Sequence, residues 1–171
     1  MIPPSLVPGI SEHVLNSSFM VTIVILAVVL YVDRFENKKK IILSTLLVEN
    51  IFIVLGATLF CRRTLPYHRI ETMPFWIYSE IMKGNPGVTF WDIIFNLFLL
   101  FPLGFLLAGV FRSIKVGHVL MIGLLFSFGI EVFQYILYKG ISQFDDLAHN
   151  TIGCVVGWLI GKWLIMKSDF T

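Results

Sequence analysis

Apolar residues run along this chain in five long blocks separated by short polar breaks, over residues 17–32, 41–60, 91–111, 117–138 and 147–166. Crossing about 30 Å of hydrocarbon takes about 20 helical residues, and the blocks are near that length. None has the period-two alternation of a barrel strand, so the pattern predicts five transmembrane helices. The first block is the shortest and extends back toward Val14; NSS (16–18) gives it a capping signal and DRF closes it. The second is interrupted by Glu49 and Asn50. Between the second and third lies CRRTLPYHRIETMPFWIYSEIMKGNPGVTF (61–90), too long for a minimal turn and too aromatic for a flexible linker. Its PFWIYSEIM reads as a short amphipathic or re-entrant helix, with Trp76 and Tyr78 at headgroup depth. Residues 1–171 show no internal repeat and read as one all-α membrane domain.

Composition sharpens this picture. The 171 residues are 57% hydrophobic and only 14% charged, too little polar surface for a soluble domain of this size. The net charge of +2 is too small to point to nucleic acid. Cys61 and Cys154 form neither a disulfide framework nor a metal-type spacing, and small apolar filler is the favoured reading over a single bridge. Residues 1–20 contain no Lys or Arg, so the first block is expected to be a retained span rather than a cleaved signal. Basic residues set the orientation: Arg34, Lys38, Lys39, Lys40, Arg112, Lys115, Lys162 and Lys167 fall on one side, and Arg62, Arg63, Arg69, Lys83 and Lys139 on the other. The richer side is the cytoplasmic one, which puts the N-terminus outside and the C-terminus inside.

With that topology, three helices each bring an acid and an amide to one depth near the outer interface. Asp92 and Asn96 lie four apart at the start of the third span. Glu131 and Gln134 lie near the end of the fourth. Asp145 and Asp146 precede the fifth, with Asn150 four residues beyond Asp146. Ionisable groups in a membrane are expensive and usually mark sites. The structural alternative is interhelical locking, worth about 0.6–2 kcal/mol per bond, and Asp146 has the type and place of a helix cap. Carboxylates with amides suit a hard divalent cation such as Mg²⁺ or Ca²⁺, while Arg62, Arg63 and Arg69 suit phosphate. Together they suit a lipid phosphate or pyrophosphate headgroup, with His68 and His149 on the same side able to move a proton. Glu49 and Asn50 sit mid-span, where an interhelical bond is the favoured reading. Gly153, Gly157 and Gly161, four apart, make a smooth stripe for close packing within the fold or between copies. Pro102 is expected to kink the third span just below Asn96.

WDIIFNLFLLFPLGFLL (91–107), EVFQ (131–134), DDLAHNTIGCVVG (145–157) and MPFWIYSEI (73–81) resemble, in this order and spacing, the VanZ-like family of bacterial membrane proteins. The resemblance covers roughly residues 62–165. It implies a plasma-membrane protein tied to the cell envelope and to teicoplanin resistance. It also marks Asp92, Asn96, Pro102, Gly104, Glu131, Gln134, Asp146, Asn150 and Gly153. The chain departs from the family at Gln143, where relatives carry an acid, and at Gly140, where an Arg is common.

The expectation is therefore a helical bundle of about five spans with an interfacial segment before the third. Its pocket would bind or modify an anionic envelope lipid or lipid-linked cell-wall precursor at the outer leaflet, lowering glycopeptide susceptibility. Asp92, Glu131 and Asp146 are the candidate catalytic or cation-holding carboxylates. Arg62, Arg63, Arg69, Asn96, Gln134, Asp145, His149 and Asn150 are the candidate binding residues. A divalent cation is the one cofactor the residue types suit, and self-association through Gly153, Gly157 and Gly161 is the expected oligomer contact if there is one. Two alternatives stand beside this reading: a non-enzymatic scaffold with the acids as helix glue, and a small transporter using Glu49 and Glu131 as proton sites.

Overall fold

A computed structural model describes residues 20–28, 38–60, 62 and 64–168. The ends of the first predicted span, Cys61 and Arg63 lie outside the described residues. Residues 20–28 are helical (α1), followed by α2 (Lys38–Leu55), which widens into a π-helical turn over Gly56–Phe60. Next come a two-residue strand β1 (Ile70–Glu71) and the short α3 (Trp76–Met82). Helices α4 (Phe90–Leu99), α5 (Phe101–Val110) and α6 (Val116–Ile136), strand β2 (Ser142–Gln143) and α7 (Phe144–Ser168) complete the order.

The result is the expected helical membrane-type bundle. Among the described residues, Lys38–Phe60, Phe90–Val110 and Val116–Ile136 are long and apolar enough to cross a membrane. Helix α7 has 25 residues, about 37 Å at 1.5 Å per residue, with its acids gathered in the first turn. Apolar side chains such as Phe95, Phe98 and Leu125 stand outward, over 60% exposed, a belt that water would not tolerate but lipid would.

Helix α7 is the hub and packs chiefly on α5, then on α6 and α4. Its glycines explain the closeness. A Cβ on Gly153 would sit 1.8 Å from the Leu97 carbonyl oxygen, and one on Gly157 would sit 2.0 Å from that of Phe101. Gly104 answers from α5, where a Cβ would meet the Cys154 carbonyl oxygen at 1.8 Å. The stripe including Gly161 thus lies against α4 and α5 of the same chain, the first of its two readings. Backbones this close gain dispersion contacts along their length, the main driving force where lipid supplies no hydrophobic effect. Leu100, Leu103, Leu107, Val119, Ile130 and Cys154 close the core, with Cys154 a free, fully buried thiol.

The break between α4 and α5 falls at Leu100, with Pro102 in the first turn of α5. Pro102 lacks an N–H and so begins a helix well; the expected kink is there, one turn beyond Asn96. At the other break, α6 ends in a Schellman turn. Tyr138 takes the left-handed conformation (φ 59°), and Lys139 N–H bonds the Gln134 carbonyl at 2.8 Å. His68 stacks on Tyr138 and Tyr135 and donates from Nδ1 to the Tyr135 carbonyl at 2.7 Å, clamping this unusual tyrosine.

Candidate functional site

The segment 62–90 folds back over the α6–α7 turn and roofs one end of the bundle. Thr64 bridges Lys139, Leu65 N–H bonds the Tyr138 carbonyl at 2.7 Å, and β1 runs parallel to β2 with Ile70 opposite Ser142. These backbone bonds bring chemistry-bearing residues from five elements to one place.

Asp145 ties the roof down. Its two carboxylate oxygens accept the N–H groups of Phe75 (2.8 Å) and Ile77 (2.9 Å), the free donors at the start of α3. This capture holds Phe75 in the left-handed region at φ 62° and seats Ile77, which is almost fully buried. One turn along α7, His149 Nε2 lies 2.8 Å from the Tyr78 hydroxyl, so α3 is held twice by the head of α7. Trp76, flanking Ile77, carries the Arg69 guanidinium over its ring at 5.9 Å.

Behind the roof is a cavity of about 380 Å³ lined by Arg62, Trp76, Asp92, Asn96, Gln143 and Asp146, among others. Asp146 lies inside the first turn of α7 rather than ahead of it, because the helix starts at Phe144, three residues earlier than the apolar block. Its carboxylate is almost fully buried and accepts from Asn96 Nδ2 across to α4, so it is an interhelical acceptor and not the cap its position suggested. Asp92 is exposed and forms the capping box of α4. One of its oxygens accepts the Thr89 N–H (2.6 Å) and hydroxyl (3.1 Å), while its residue still lines the cavity.

The deeper wall comes from α6. Glu131 is buried and accepts the Gln143 N–H at 2.8 Å, fixing β2 over the cavity. Gln134 donates to the Thr58 carbonyl (3.2 Å) in the π-helical turn and accepts from Arg62 at 3.3 Å. Arg62 thereby joins the cavity lining, and Gly140 gives it room: a Cβ there would stand 3.2 Å from its Nη1. Asn150, fully buried, donates to Ser127 at 2.9 Å, leaving its Oδ1 unpaired among the described residues.

The structure thus gathers Arg62, Asp92, Asn96 and Asp146 around one cavity, with Glu131 and Gln134 as its support. Asp145 and His149 serve the roof, Asn150 lies a turn below, and Arg69 is outside on Trp76. Among the described residues no group of three His, Cys, Asp or Glu is placed to hold a metal ion. A divalent cation would have to draw most of its oxygen ligands from a bound molecule or water. Glu49, apart from this site, accepts from Thr22 of α1 at 2.7 Å, the interhelical bond expected there.

Gln143, Trp76, Tyr78 and Ser127 belong to the arrangement without having been singled out as contributors. Ser127 was legible, since it sits four residues before Glu131 and seven before Gln134 on one face of α6. The other three depend on the fold-back of 62–90, which no local periodicity announces.

The VanZ/LLP1 family model matches residues 19–166, which takes in every element of the bundle and every residue around the cavity. No curated protein and no solved structure matches. Because the family-model match covers most of its length, the chain belongs to the VanZ/LLP1 family.

Proposed function

We propose that the protein is a multi-pass plasma-membrane protein of the bacterial envelope, with the cavity end outward and the C-terminus cytoplasmic. In it the Arg62–Asp146 cavity holds the headgroup of an anionic lipid or lipid-linked cell-wall precursor, which lowers glycopeptide susceptibility. The observation that carries this reading is a cavity of both signs at the polar end of an otherwise apolar bundle. Arg62, Asp92 and Asp146 all line it. A guanidinium grips phosphate through paired donors. The carboxylates would repel a bare phosphate, so they suit the hydroxyl or ammonium donors that accompany phosphate in such headgroups. Trp76 adds an apolar face of the kind sugars and lipid headgroups rest on.

Asp146→Asn tests this, because the asparagine oxygen still accepts from Asn96 while the charge is lost; Arg62→Gln is its partner. Both variants should fold and insert at the normal level, yet lose the lowered teicoplanin susceptibility and retention of a phosphate-bearing envelope lipid on the purified protein. Normal retention and susceptibility in both, at equal expression, would overturn the proposal.

A scaffold role is the second reading, favoured by one specific fact: Asp92, Glu131 and Asp145 each accept backbone N–H groups that hold the fold together. It predicts that loss of activity tracks loss of folded protein at all three, whereas the headgroup reading separates the two at Asp146 and Arg62.

A further inference from the structure

The opposite end of the bundle has a larger cavity, about 980 Å³, between the start of α2, the end of α5 and the end of α7. Lys38, Lys39, Lys40 and Arg112 line its mouth. None of the described residues lining it is acidic, and the first turn of α2 holds no acid. Below the cations its walls are apolar, with Leu43 of α2, Phe105 of α5 and Leu164 of α7. Lys162 Nζ donates to the Arg112 carbonyl beside it, adding another positive charge at this end.

We infer that this basic, apolar-floored cavity is a second binding site, independent of the headgroup reading above, and that it takes an anionic phospholipid of the leaflet at that end. Lys39, Lys40 and Lys162 bring positive charge to one end, and a bound anion is attracted to all of them. Lys39 and Lys40 are exposed, and long stems of this kind let an ammonium group reach a headgroup from apolar surroundings. Phosphate at the rim leaves the acyl chains against Leu43, Phe105 and Leu164, a surface that a free phosphate ion would not cover. Basic clusters at a membrane face attract anionic headgroups by about fivefold per Lys or Arg. The cavity at the polar end is lined by Asp92 and Asp146 as well as Arg62, so it carries no such excess of positive charge.

The test uses the full chain in nanodiscs of phosphatidylcholine, with or without phosphatidylglycerol, and native mass spectrometry of the lipid that stays bound on release. Wild-type protein should retain phosphatidylglycerol and not phosphatidylcholine, and retention should fall as salt rises. Replacing Lys39→Ala together with Lys40→Ala should weaken retention about twenty-five-fold. The charge-keeping pair Lys39→Arg and Lys40→Arg should preserve it, as should Lys83→Ala at the far end. Leu43→Trp, which fills the apolar wall without touching a charge, should also weaken it. Equal retention of the two lipids, or retention unchanged in the alanine pair at normal helicity, would overturn the inference. So would ready displacement by inorganic phosphate, which would mark a soluble-anion site.

Discussion

Replacing Asp145 by alanine removes the carboxylate that holds the start of α3. Two N–H donors lose their acceptor together. The Ile77 N–H lies beside an almost fully buried side chain and has no other acceptor in reach among the described residues, so it bears the penalty of a buried unpaired donor, about 1–3 kcal/mol. The Phe75 N–H is nearer the surface and recovers water, which leaves a net loss of about 0.5–1.5 kcal/mol. Against this, Phe75 is freed from a left-handed conformation that costs on the order of 1 kcal/mol for a bulky residue. The balance is about 0.5–3.5 kcal/mol, a roughly two- to 400-fold rise in local opening of α3. Hydrogen exchange on the reconstituted protein reads this directly. Amides of Ile77–Met82 should exchange faster by that factor, and those of the α5–α7 core should not change, because their packing does not pass through Asp145. Asp145→Asn should recover part of the loss, since one oxygen can still accept one of the two N–H groups. Unchanged exchange over Ile77–Met82 in the alanine variant would refute the tethering account, and uniform acceleration across the bundle would show that Asp145 supports the fold rather than the roof.

Gly153→Ala should force α7 off α4, because its Cβ would stand 1.8 Å from the Leu97 carbonyl oxygen, and overpacking of this kind costs about 1–3 kcal/mol. Gly129→Ala, with nothing within 4 Å, should be neutral or stabilising by up to about 1 kcal/mol, and detergent-resistance midpoints compare the two. Ser127→Ala strands the buried amide of Asn150 and should lower the same midpoint, while adding Asn150→Leu should restore most of it, a coupling that a double-mutant cycle measures. In the last turn of α3, hydrogen bonds from Lys83 and then Asn85 hold the Glu80 carboxyl below its ordinary value of 4.5. That contribution is present above the ordinary value and is lost as the pH falls through the depressed one, so exchange in residues 80–88 should rise below about pH 4.5 and not above it.

The helices were legible because hydrocarbon imposes a length and a composition that local sequence must display. The blocks at 91–111 and 117–138 differ from Phe90–Val110 and Val116–Ile136 by two residues at most at either end. Gly153, Gly157 and Gly161 announced a packing face by spacing alone, though not which helices would fill it. What stayed hidden were the contacts made by irregular backbone. Two-residue strands carry no period, and the parallel pairing of Ile70–Glu71 with Ser142–Gln143 joins segments some seventy residues apart. Asp145 and Asp146 show the same limit in adjacent residues. By sequence they form one acidic pair ahead of a helix. In the fold, successive positions on the first turn of α7 point about 100° apart, so one reaches the α3 amides and its neighbour faces Asn96 and the cavity.

That divergence bears on how the polar end should be read. If the acids were only helix glue, each would be expected to spend both oxygens on the fold, as Asp145 does. Glu131 comes close to that pattern, holding the N–H of Gln143, which lines the cavity. Asp146 and Arg62 break it, since each makes one side-chain hydrogen bond to a residue of the site and still lines open space. A buried carboxyl held by a single amide fixes a scaffold weakly, because its desolvation exceeds what one bond offsets. It is good preorganisation for a ligand that completes the set, since donor and acceptor are already aimed and lose little freedom on binding. The functional question therefore narrows from three helices of acids and amides to two cavity-lining residues, Arg62 and Asp146, each bonded by an amide, Gln134 and Asn96.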